Sequence, residues 1–257
     1  MKTELSSNLE KERVDSALVS RGLVASRTLA VRLIDAGQVY VGTIQVVKPS
    51  LLVGKNDELF VQNGNMNRFV SRGGLKLLSA LEYFGVDVGG SRCLDVGIST
   101  GGFSDCLLQR GANNIVGLDV GHDQLSPKLR DDSRLCLYEG VNARDLSHFS
   151  WLDPFDLIVV DVSFISLTKV LPEVLKFLKS SGSILCLIKP QFELGSASLN
   201  KKGVVRESEN FGELRQRMTD LFLNSGLDVI GQFECPVRGG DGNKEFFIYA
   251  KKISNWV

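Results

Sequence analysis

The stretch Leu94-Asp95-Val96-Gly97-Ile98-Ser99-Thr100-Gly101-Gly102-Phe103 leads from an apolar strand pattern through a glycine-rich loop into a helical pattern. Glycines at such a junction permit a tight turn and let the backbone come close to a ligand. The loop is not a Walker A loop, because no Gly-Lys-Ser/Thr follows it, and it departs from Gly-x-Gly-x-x-Gly at Ser99. The stretch therefore predicts a strand, a candidate ligand loop and a helix over 102–110.

Strands alternate with helices along the chain beyond this loop. A helix is predicted near 209–224, and apolar runs typical of buried parallel strands occur at 92–96, 114–119, 156–161 and 183–188, with a weaker run at 135–138. Two late strands are predicted at 228–233 and 245–250. The alternation indicates an α/β fold with a mostly parallel sheet, which binds ligands at the carboxyl ends of its strands.

Two domains are expected. Residues 1–62 combine two short helical patterns with β-like runs and predict a small domain. The polar residues 63–67 predict a linker, because few of them are able to pack. Residues 68–257 then hold the α/β domain.

The composition indicates a globular protein of the cytoplasm. The 257 residues are 43% hydrophobic, and the start of the chain is polar and mixed in charge. No apolar run approaches the ~18–20 residues of a membrane-spanning helix. The five cysteines form no Cys-x-x-Cys pair and His122 and His148 are isolated, so no metal site is expected. Cys93, Cys136 and Cys186 lie in apolar runs and are predicted to be buried.

Two acidic residues flank the glycine-rich loop. Asp95 lies in the strand before it, and Asp119 ends the next strand 24 residues later. An acid there can accept hydrogen bonds from ribose hydroxyls, although a turn-capping aspartate is the alternative. The loop with two acids fits a nucleoside cofactor that lacks a pyrophosphate, and S-adenosylmethionine fits better than NAD. Asn142 and Ala143 follow the third strand, where methyltransferases commonly hold the adenine, or they form a plain turn.

Three motifs together resemble the TlyA/haemolysin A family: Asp95-Val-Gly-Ile-Ser-Thr-Gly-Gly-Phe-Ser, Asp161-Val-Ser-Phe-Ile-Ser and Ile188-Lys-Pro-Gln-Phe-Glu193. The resemblance covers nearly the whole chain. It implies a Rossmann-like class I methyltransferase domain similar to FtsJ, preceded by a small α+β S4-like domain. It also implies S-adenosylmethionine-dependent 2′-O-methylation of a cytidine ribose in 16S and/or 23S ribosomal RNA. Ile98 departs from the smaller residue that is usual in the family, and is tolerated if its side chain points into the core.

The resemblance also implies the site residues. Those expected to bind the cofactor are Asp95, Gly97, Ser99, Thr100, Gly101, Gly102, Phe103, Asp119, Asn142, Ala143 and Asp161. Those expected to be catalytic are Lys76, Asp161, Lys189 and Glu245. Asp161 and Lys189 each end an apolar strand, where packing alone seldom places a charge. Lys76 precedes a helix-like run and Glu245 opens the last strand, and for either one taken alone a surface charge is the favoured interpretation.

The chemistry of methyl transfer explains this set of residues. Displacement at a sulfonium depends on alignment, and a ribose hydroxyl benefits from a positioned base. Lys189 is the expected base, with Asp161 and Glu245 orienting the lysines. Methylation of an exocyclic amine favours Asn/Asp-Pro-Pro-Tyr/Phe where Asp161-Val-Ser-Phe stands, and carbon-5 methylation needs an activated cysteine. Cys186 and Cys235 have no obvious activating partner, so both alternatives are weak.

The first domain resembles S4 domains at Arg13-Val-Asp-Ser-Ala-Leu18, Arg21-Gly-Leu23, Ser26-Arg27 and Lys48-Pro-Ser50. Arginine suits phosphate because its planar fork bonds two oxygens, although a solvated helix face is the alternative for any single arginine. The residues expected to contact RNA are Arg13, Arg21, Arg27, Arg32, Lys48 and Arg72. Structured RNA is recognised mainly through phosphate and shape, and the target base is expected to flip out of its stack.

The net charge conceals an uneven distribution. The chain has 30 Lys and Arg against 30 Asp and Glu, which by itself gives no indication of a polyanionic partner. Residues 1–76 hold 11 Lys and Arg against 7 Asp and Glu, a balance of +4. Residues 77–257 hold 19 against 23, a balance of −4. The net charge of zero is therefore the sum of a mildly basic RNA-binding part and a mildly acidic catalytic domain.

Two other functions stay open on the sequence alone. One is a membrane-active haemolysin, which the family name suggests but no spanning segment or basic amphipathic helix supports. The other is a non-catalytic RNA-binding factor of ribosome assembly, against which the four catalytic positions argue. The expected partners are ribosomal RNA and ribosomal subunits, with no membrane and no obligate protein partner.

Overall fold

The computed structural model describes residues 11–24, 26–42, 44–55, 57, 59–61, 68–146, 149, 153–206, 209–239 and 242–253. The chain divides into a first unit, residues 1–68, and a second unit, residues 69–257. The linker expected at 63–67 and His148 lie outside the described residues.

The first unit packs two helices against short strands. Its elements are β1 (Lys11–Arg13), α1 (Val14–Ser20), α2 (Arg27–Asp35), β2 (Val39–Val41), β3 (Ile44–Gln45), β4 (Leu52–Gly54) and β5 (Leu59–Val61). Strands β3, β2 and β5 form one antiparallel sheet, and β1 pairs with β4. Ser26 caps α2, because its side chain accepts a hydrogen bond from the backbone N–H of Leu29. The apolar helix faces meet in a small core that includes Leu18 and Leu33.

The second unit alternates strands and helices. It begins with α3 (Arg72–Phe84), β6 (Arg92–Val96), α4 (Gly102–Gln109), β7 (Asn114–Leu118) and β8 (Leu135–Tyr138). It continues with β9 (Phe155–Val160), α5 (Leu167–Val174), β10 (Leu178–Ile188), α6 (Pro190–Glu193), α7 (Phe211–Leu223), β11 (Leu227–Glu234) and β12 (Phe246–Lys252).

The seven strands form one sheet in the order β11-β12-β10-β9-β6-β7-β8. Strands β6 to β10 pair in parallel, and β12 runs antiparallel to both of its neighbours, which confirms the mostly parallel sheet. The chain moves outward from β6 in one direction through β7 and β8, and in the other through β9 and β10. The carboxyl ends of β6 and β9 therefore border the point where the strand order reverses, which is where open α/β sheets bind ligands.

Strand β9 shows why its sequence is apolar without a break. Ile158 and Val160 pack into the hydrophobic cluster on one face of the sheet. Leu157 and Val159 pack into the cluster on the other face. Alternate side chains of a strand point to opposite faces, so a strand that is covered on both faces needs apolar residues at every position.

The prediction of three buried cysteines is confirmed for two and wrong for one. Cys93 and Cys186 are buried, whereas Cys136 is exposed. Cys136 belongs to β8, which pairs with β7 at the end of the sheet. A strand at the edge is covered less completely than a central strand, although both carry apolar residues.

Candidate active site

The glycine-rich loop brings the ends of β6 and β9 together. Gly97 has a φ of +86°, and a Cβ at this position would collide with the carbonyl oxygen of Asp161. The backbone N–H of Asp161 donates to the carbonyl oxygen of Val96 over 2.9 Å. Glycine at position 97 therefore lets β9 deliver Asp161 directly beside the loop.

A second close approach joins the starts of α3 and α4. A Cβ on Gly102 would collide with Oγ of Ser71, which precedes α3. This contact places α3, and with it Lys76, next to the loop. The sequence placed Lys76 ahead of a helix, but the side chain lies inside α3.

Asp119 organises the loop from the side of β7. One carboxylate oxygen accepts the backbone N–H of Ser99 and the other accepts that of Gly121, both over 2.7 Å. Ser99 adopts a φ of +49°, so this bond holds an unusual backbone conformation. Each oxygen keeps a lone pair for a further donor.

Asp95 lies beneath the loop and is fully buried. Its Oδ2 accepts a 2.7 Å hydrogen bond from Oγ of Ser104, whereas Oδ1 has no hydrogen-bond partner among the described residues. Burial raises the pKa of Asp95 to about 7, an effect that the hydrogen bond from Ser104 opposes. An unpaired buried oxygen of this kind is suited to a donor on a bound ligand.

Lys76 and Glu245 form the first of two lysine–carboxylate pairs. Nζ of Lys76 lies 2.6 Å from Oε2 of Glu245, which directly precedes β12. Glu245 is almost completely buried, and this burial raises its pKa although Lys76 and Lys189 act in the opposite direction. A buried carboxylate needs such a partner, because an uncompensated buried charge is strongly destabilising.

Asp161 and Lys189 form the second pair. Nζ of Lys189 lies 2.6 Å from Oδ1 of Asp161 and donates a 2.8 Å hydrogen bond to Oγ of Ser163. Asp161 follows β9 and Lys189 follows β10, and the two strands are neighbours in the sheet. The charges of Asp161 and Lys189 also act on Glu245, so the two pairs form one electrostatic group.

Lys76, Asp161, Ser163 and Lys189 line a cavity of about 260 Å³. Its wall is made by the start of α3, the glycine-rich loop and the ends of β9 and β10. The lining residues are Ser71, Arg72, Gly73, Lys76, Gly97, Ile98, Ser99, Thr100, Gly102, Phe103, Asp161, Ser163 and Lys189. The wall thus holds eight of the 14 residues that were predicted to be catalytic or to bind the cofactor.

Other predicted site residues lie outside that wall. Asp95 and Glu245 are buried and do not line the cavity, and Gly101, Asp119, Asn142 and Ala143 do not line it either. Within the described ranges, no group of three His, Cys, Asp or Glu side chains is arranged to hold a metal ion.

The sequence reasoning missed Ser163 and Phe164, which follow Asp161. Ser163 accepts the hydrogen bond from Lys189, and Phe164 is 90% exposed with a φ of +62°. Its ring lies 5.0 Å from that of Phe192. A large aromatic ring held in solvent beside a polar cavity is unusual, but the sequence carries no signal for it, because a phenylalanine after a buried strand also suits a core.

The six predicted RNA contacts differ in how much of each residue is exposed to solvent. Nη1 and Nη2 of Arg21 donate to the carbonyl oxygens of Asp57 and Gly54 over 2.7 and 2.9 Å, so this guanidinium ties α1 to the turn between β4 and β5. The other five are exposed: Arg13, Arg27, Arg32, Lys48 and Arg72.

Known protein families match both parts of the chain. The FtsJ-like methyltransferase family matches residues 69–252, and the S4 domain matches residues 12–59. A relative from Mycobacterium tuberculosis is named 16S/23S rRNA (cytidine-2′-O)-methyltransferase TlyA. It is 39% identical over 94% of this chain and 90% of its own length.

Two further relatives carry a haemolysin name. Hemolysin A of Brachyspira hyodysenteriae is 36% identical over 92% of this chain and 98% of its own length. A solved structure named "Putative hemolysin from Streptococcus thermophilus" is 37% identical, with a TM-score of 0.70 over 95% of this chain and 89% of that one. The chain therefore belongs to the TlyA/haemolysin A family, in which an S4 domain precedes an FtsJ-like methyltransferase domain.

Proposed function

We propose that this protein catalyses S-adenosylmethionine-dependent 2′-O-methylation of a cytidine ribose in ribosomal RNA. The observation that carries the proposal is the group of two lysine–carboxylate pairs beside a cavity walled by the glycine-rich loop. Such a group suits proton removal from a hydroxyl and alignment of that hydroxyl for displacement. The relative from Mycobacterium tuberculosis is named for this reaction on 16S and 23S rRNA.

The loop has the features that a sulfonium nucleoside requires. Gly97 and Gly102 let the loop come close to the backbone of Asp161 and the side chain of Ser71, which brings the cavity-lining groups together. The unpaired oxygen of Asp95 suits an ammonium donor. Ser99, Thr100 and Phe103 would complete this part of the cofactor site, with Gly101 giving the loop its turn. When bound, the cofactor supplies an electrophilic methyl group on sulfur.

The ribose and adenine of the cofactor would extend toward β7 and β8. Asp119 retains acceptor capacity for ribose hydroxyls while it holds the loop. Asn142 and Ala143 follow β8 and would border the adenine.

Each of the four charged residues then has its own role in the reaction. In its neutral form Lys189 accepts the proton of the 2′-hydroxyl, and Asp161 stabilises the ammonium group that results and would face the methionine end of the cofactor. Lys76 aligns the ribose oxygen, and Glu245 fixes Lys76 from the buried side. Arg72 lines the same cavity and would contact the phosphate next to the target ribose.

The substrate proposal combines both units of the chain. The S4 domain supplies arginines for the phosphates of structured RNA, and a flipped cytidine could stack on the exposed ring of Phe164. Ribosomal subunits, and hence the cytoplasm, are the proposed setting.

The test compares two lysine–aspartate pairs on the same two strands. Lys189 and Asp161 follow β10 and β9, whereas Lys179 and Asp156 form a 2.7 Å pair at the opposite ends of these strands. Each variant is incubated with ribosomal subunits and S-adenosylmethionine, and 2′-O-methylcytidine is mapped in the rRNA by mass spectrometry. Lys189→Ala is expected to lower kcat by about 100-fold or more, and Lys179→Ala to leave it near the wild-type value.

Cofactor affinity is measured in parallel by calorimetry. Full methylation by Lys189→Ala would remove this lysine from the reaction. Failure of the wild-type protein to methylate rRNA from cells that lack it would overturn the proposed function and would favour a non-catalytic assembly factor.

The names of two relatives raise membrane lysis as a second candidate. No helix in the described part of the chain is long and apolar enough to cross a membrane. Dye release from liposomes discriminates between the candidates, and we expect no release at protein concentrations that methylate rRNA.

A further inference from the structure

Asp15 is a buried carboxylate that the proposed reaction does not use. It lies on α1 and is 2% exposed. Its Oδ1 accepts a 3.0 Å hydrogen bond from Nε of Arg13, and its Oδ2 accepts 2.9 Å bonds from Nη2 of both Arg13 and Arg27. The three residues come from β1, α1 and α2, so the carboxylate joins three elements of the first unit.

The two arginines remain open to solvent although their common partner is not. The side chains of Arg13 and Arg27 are 46% and 60% exposed. A guanidinium carries five N–H groups, of which Arg13 gives two to Asp15 and Arg27 gives one. Donors on both side chains are therefore left for a ligand that approaches from the solvent.

The carboxylate is held in its charged form. The hydrogen bonds from Arg13, with a smaller contribution from Arg27, keep the pKa of Asp15 well below its usual range. One negative charge shared between two arginines reduces their mutual repulsion and still leaves a net positive charge at the surface. An anion with several acceptor oxygens, such as an RNA phosphate, matches two fixed guanidiniums of this kind.

We propose that Asp15 is a positioning residue for RNA, holding Arg13 and Arg27 together as a preformed site for a backbone phosphate. This inference rests on the proposed function for its ligand, ribosomal RNA. Asp15 does not touch the phosphate; it fixes the two guanidiniums, so that little conformational freedom is lost when RNA binds.

The test uses a substitution for which charge and positioning predict opposite results. Asp15→Asn in the full chain makes the first unit more positive by one charge, which by long-range attraction alone should tighten RNA binding. If Asp15 positions the arginines, the Kd for ribosomal RNA should instead rise about five- to tenfold. The plot of log K against log salt should also become shallower by about one released counterion.

A matched control removes the same charge elsewhere in the unit. Asp35 ends α2 and is exposed, so Asp35→Asn should leave the Kd unchanged or lower it slightly. With ribosomal subunits as substrate, Asp15→Asn should raise KM and leave kcat unchanged. In an Arg13→Ala, Arg27→Ala background, Asp15→Asn should have no further effect on the Kd, because its partners are gone.

Two results would overturn the proposal. One is RNA binding by Asp15→Asn as tight as that of the wild type. The other is a loss of affinity that is equally large in the background without the two arginines, since this would mean that Asp15 only supports the fold.

A second variant covers the case in which Asp15→Asn does not fold. Arg13→Lys with Arg27→Lys keeps both charges and Asp15 but removes the planar forks. It should weaken RNA binding to a similar extent, and an unchanged Kd would contradict the proposed geometry. Because the readout is binding, a wild-type protein that bound rRNA without methylating it would overturn the proposed function and leave this inference intact.

Discussion

At the scale of single residues, Gly97 is required for both its backbone conformation and its lack of a side chain. Gly97→Ala is expected to destabilise the fold by about 1–3 kcal/mol, because alanine is strained at a φ of +86° and its Cβ would push against the backbone of Asp161. Thermal unfolding measures this loss, and calorimetry should show weaker binding of S-adenosylmethionine. Gly195→Ala is the control, since a Cβ there meets nothing within 4 Å. Equal effects of the two substitutions would contradict the prediction.

Asp95 is expected to make stability depend on pH. Its pKa of about 7 in the folded protein lies above the usual 3.8, so the folded state binds more protons between these values. Stability due to this group is greatest below pH 4, falls as the pH rises to 7 and is constant above that. The fall amounts to at most about 4 kcal/mol.

The neutral isostere Asp95→Asn should lack this fall. Chemical denaturation of the wild-type protein and the variant from pH 4 to 8 tests the prediction through the difference between the two curves. Curves that run parallel over the whole range would mean that Asp95 keeps an ordinary pKa.

The sequence predicts that Ile98 is tolerated in the loop if its side chain points into the core. Its side chain is buried, as that condition required. The space is provided by Gly117 on β7, where a Cβ would collide with the Ile98 side chain. The larger residue is therefore accommodated by a glycine on the neighbouring strand.

At the scale of elements, Asn243 connects the segment between α6 and α7 to the segment that carries Glu245. Its Oδ1 accepts the backbone N–H of Val205 over 2.9 Å, and its Nδ2 donates to the carbonyl oxygen of Gly203 over 3.2 Å. Asn243 is almost fully buried and stands two residues before Glu245. It therefore holds a long loop and a charged site residue at once.

Asn243→Ala should destabilise the protein by about 1–3 kcal/mol, because the N–H of Val205 loses its buried partner. It should also lower kcat, since the segment before Glu245 is no longer anchored. Asn210→Ala provides the control: Asn210 caps α7, so its loss should cost about 1 kcal/mol and leave kcat unchanged. Unfolding and methylation assays on the same samples compare the two, and an unchanged kcat in Asn243→Ala would argue against the anchoring role.

The start of α3 could not be predicted correctly from the sequence. Gly73 and Gly74 occupy its first turn, and glycine is a poor helix former, so the pattern placed Lys76 ahead of the helix. A Cβ at Gly74 would collide with the ring of Phe69. Tertiary packing at this point favours glycine over a better helix former.

At the scale of the whole molecule, the positive charge balance of residues 1–76 predicts that salt weakens RNA binding through this part of the chain. Replacing Arg13, Arg27, Lys48 and Arg72 by Glu should raise the Kd for ribosomal RNA by at least about tenfold and flatten its dependence on salt. The control replaces Arg110, Lys169, Lys176 and Lys251 by Glu, which changes the net charge equally without touching the cavity wall. Filter binding at several salt concentrations compares them. Unchanged affinity of the first variant at moderate salt would show that the RNA-binding surface lies elsewhere.

The strands and helices of the second unit could largely be predicted because each leaves a local pattern. The helix expected at 102–110 is Gly102–Gln109, and the strand expected at 156–161 is Phe155–Val160. The exposure of Cys136 could not be predicted, since it depends on which strand ends at the edge of the sheet. The exposure of Phe164 depends in the same way on its neighbours in space.

The sequence by itself determined the alternation of elements and the glycine loop, because hydrophobic period and turn residues act over short stretches of chain. The four charged residues were predicted from the family's motifs. Only the tertiary structure decided how those charges are paired. Lys76 and Glu245 are 169 positions apart and meet at 2.6 Å, and Asp15 is shared by two arginines. The behaviour of a charged group depends on its burial and its nearest partner, and both are set by the topology of the folded chain.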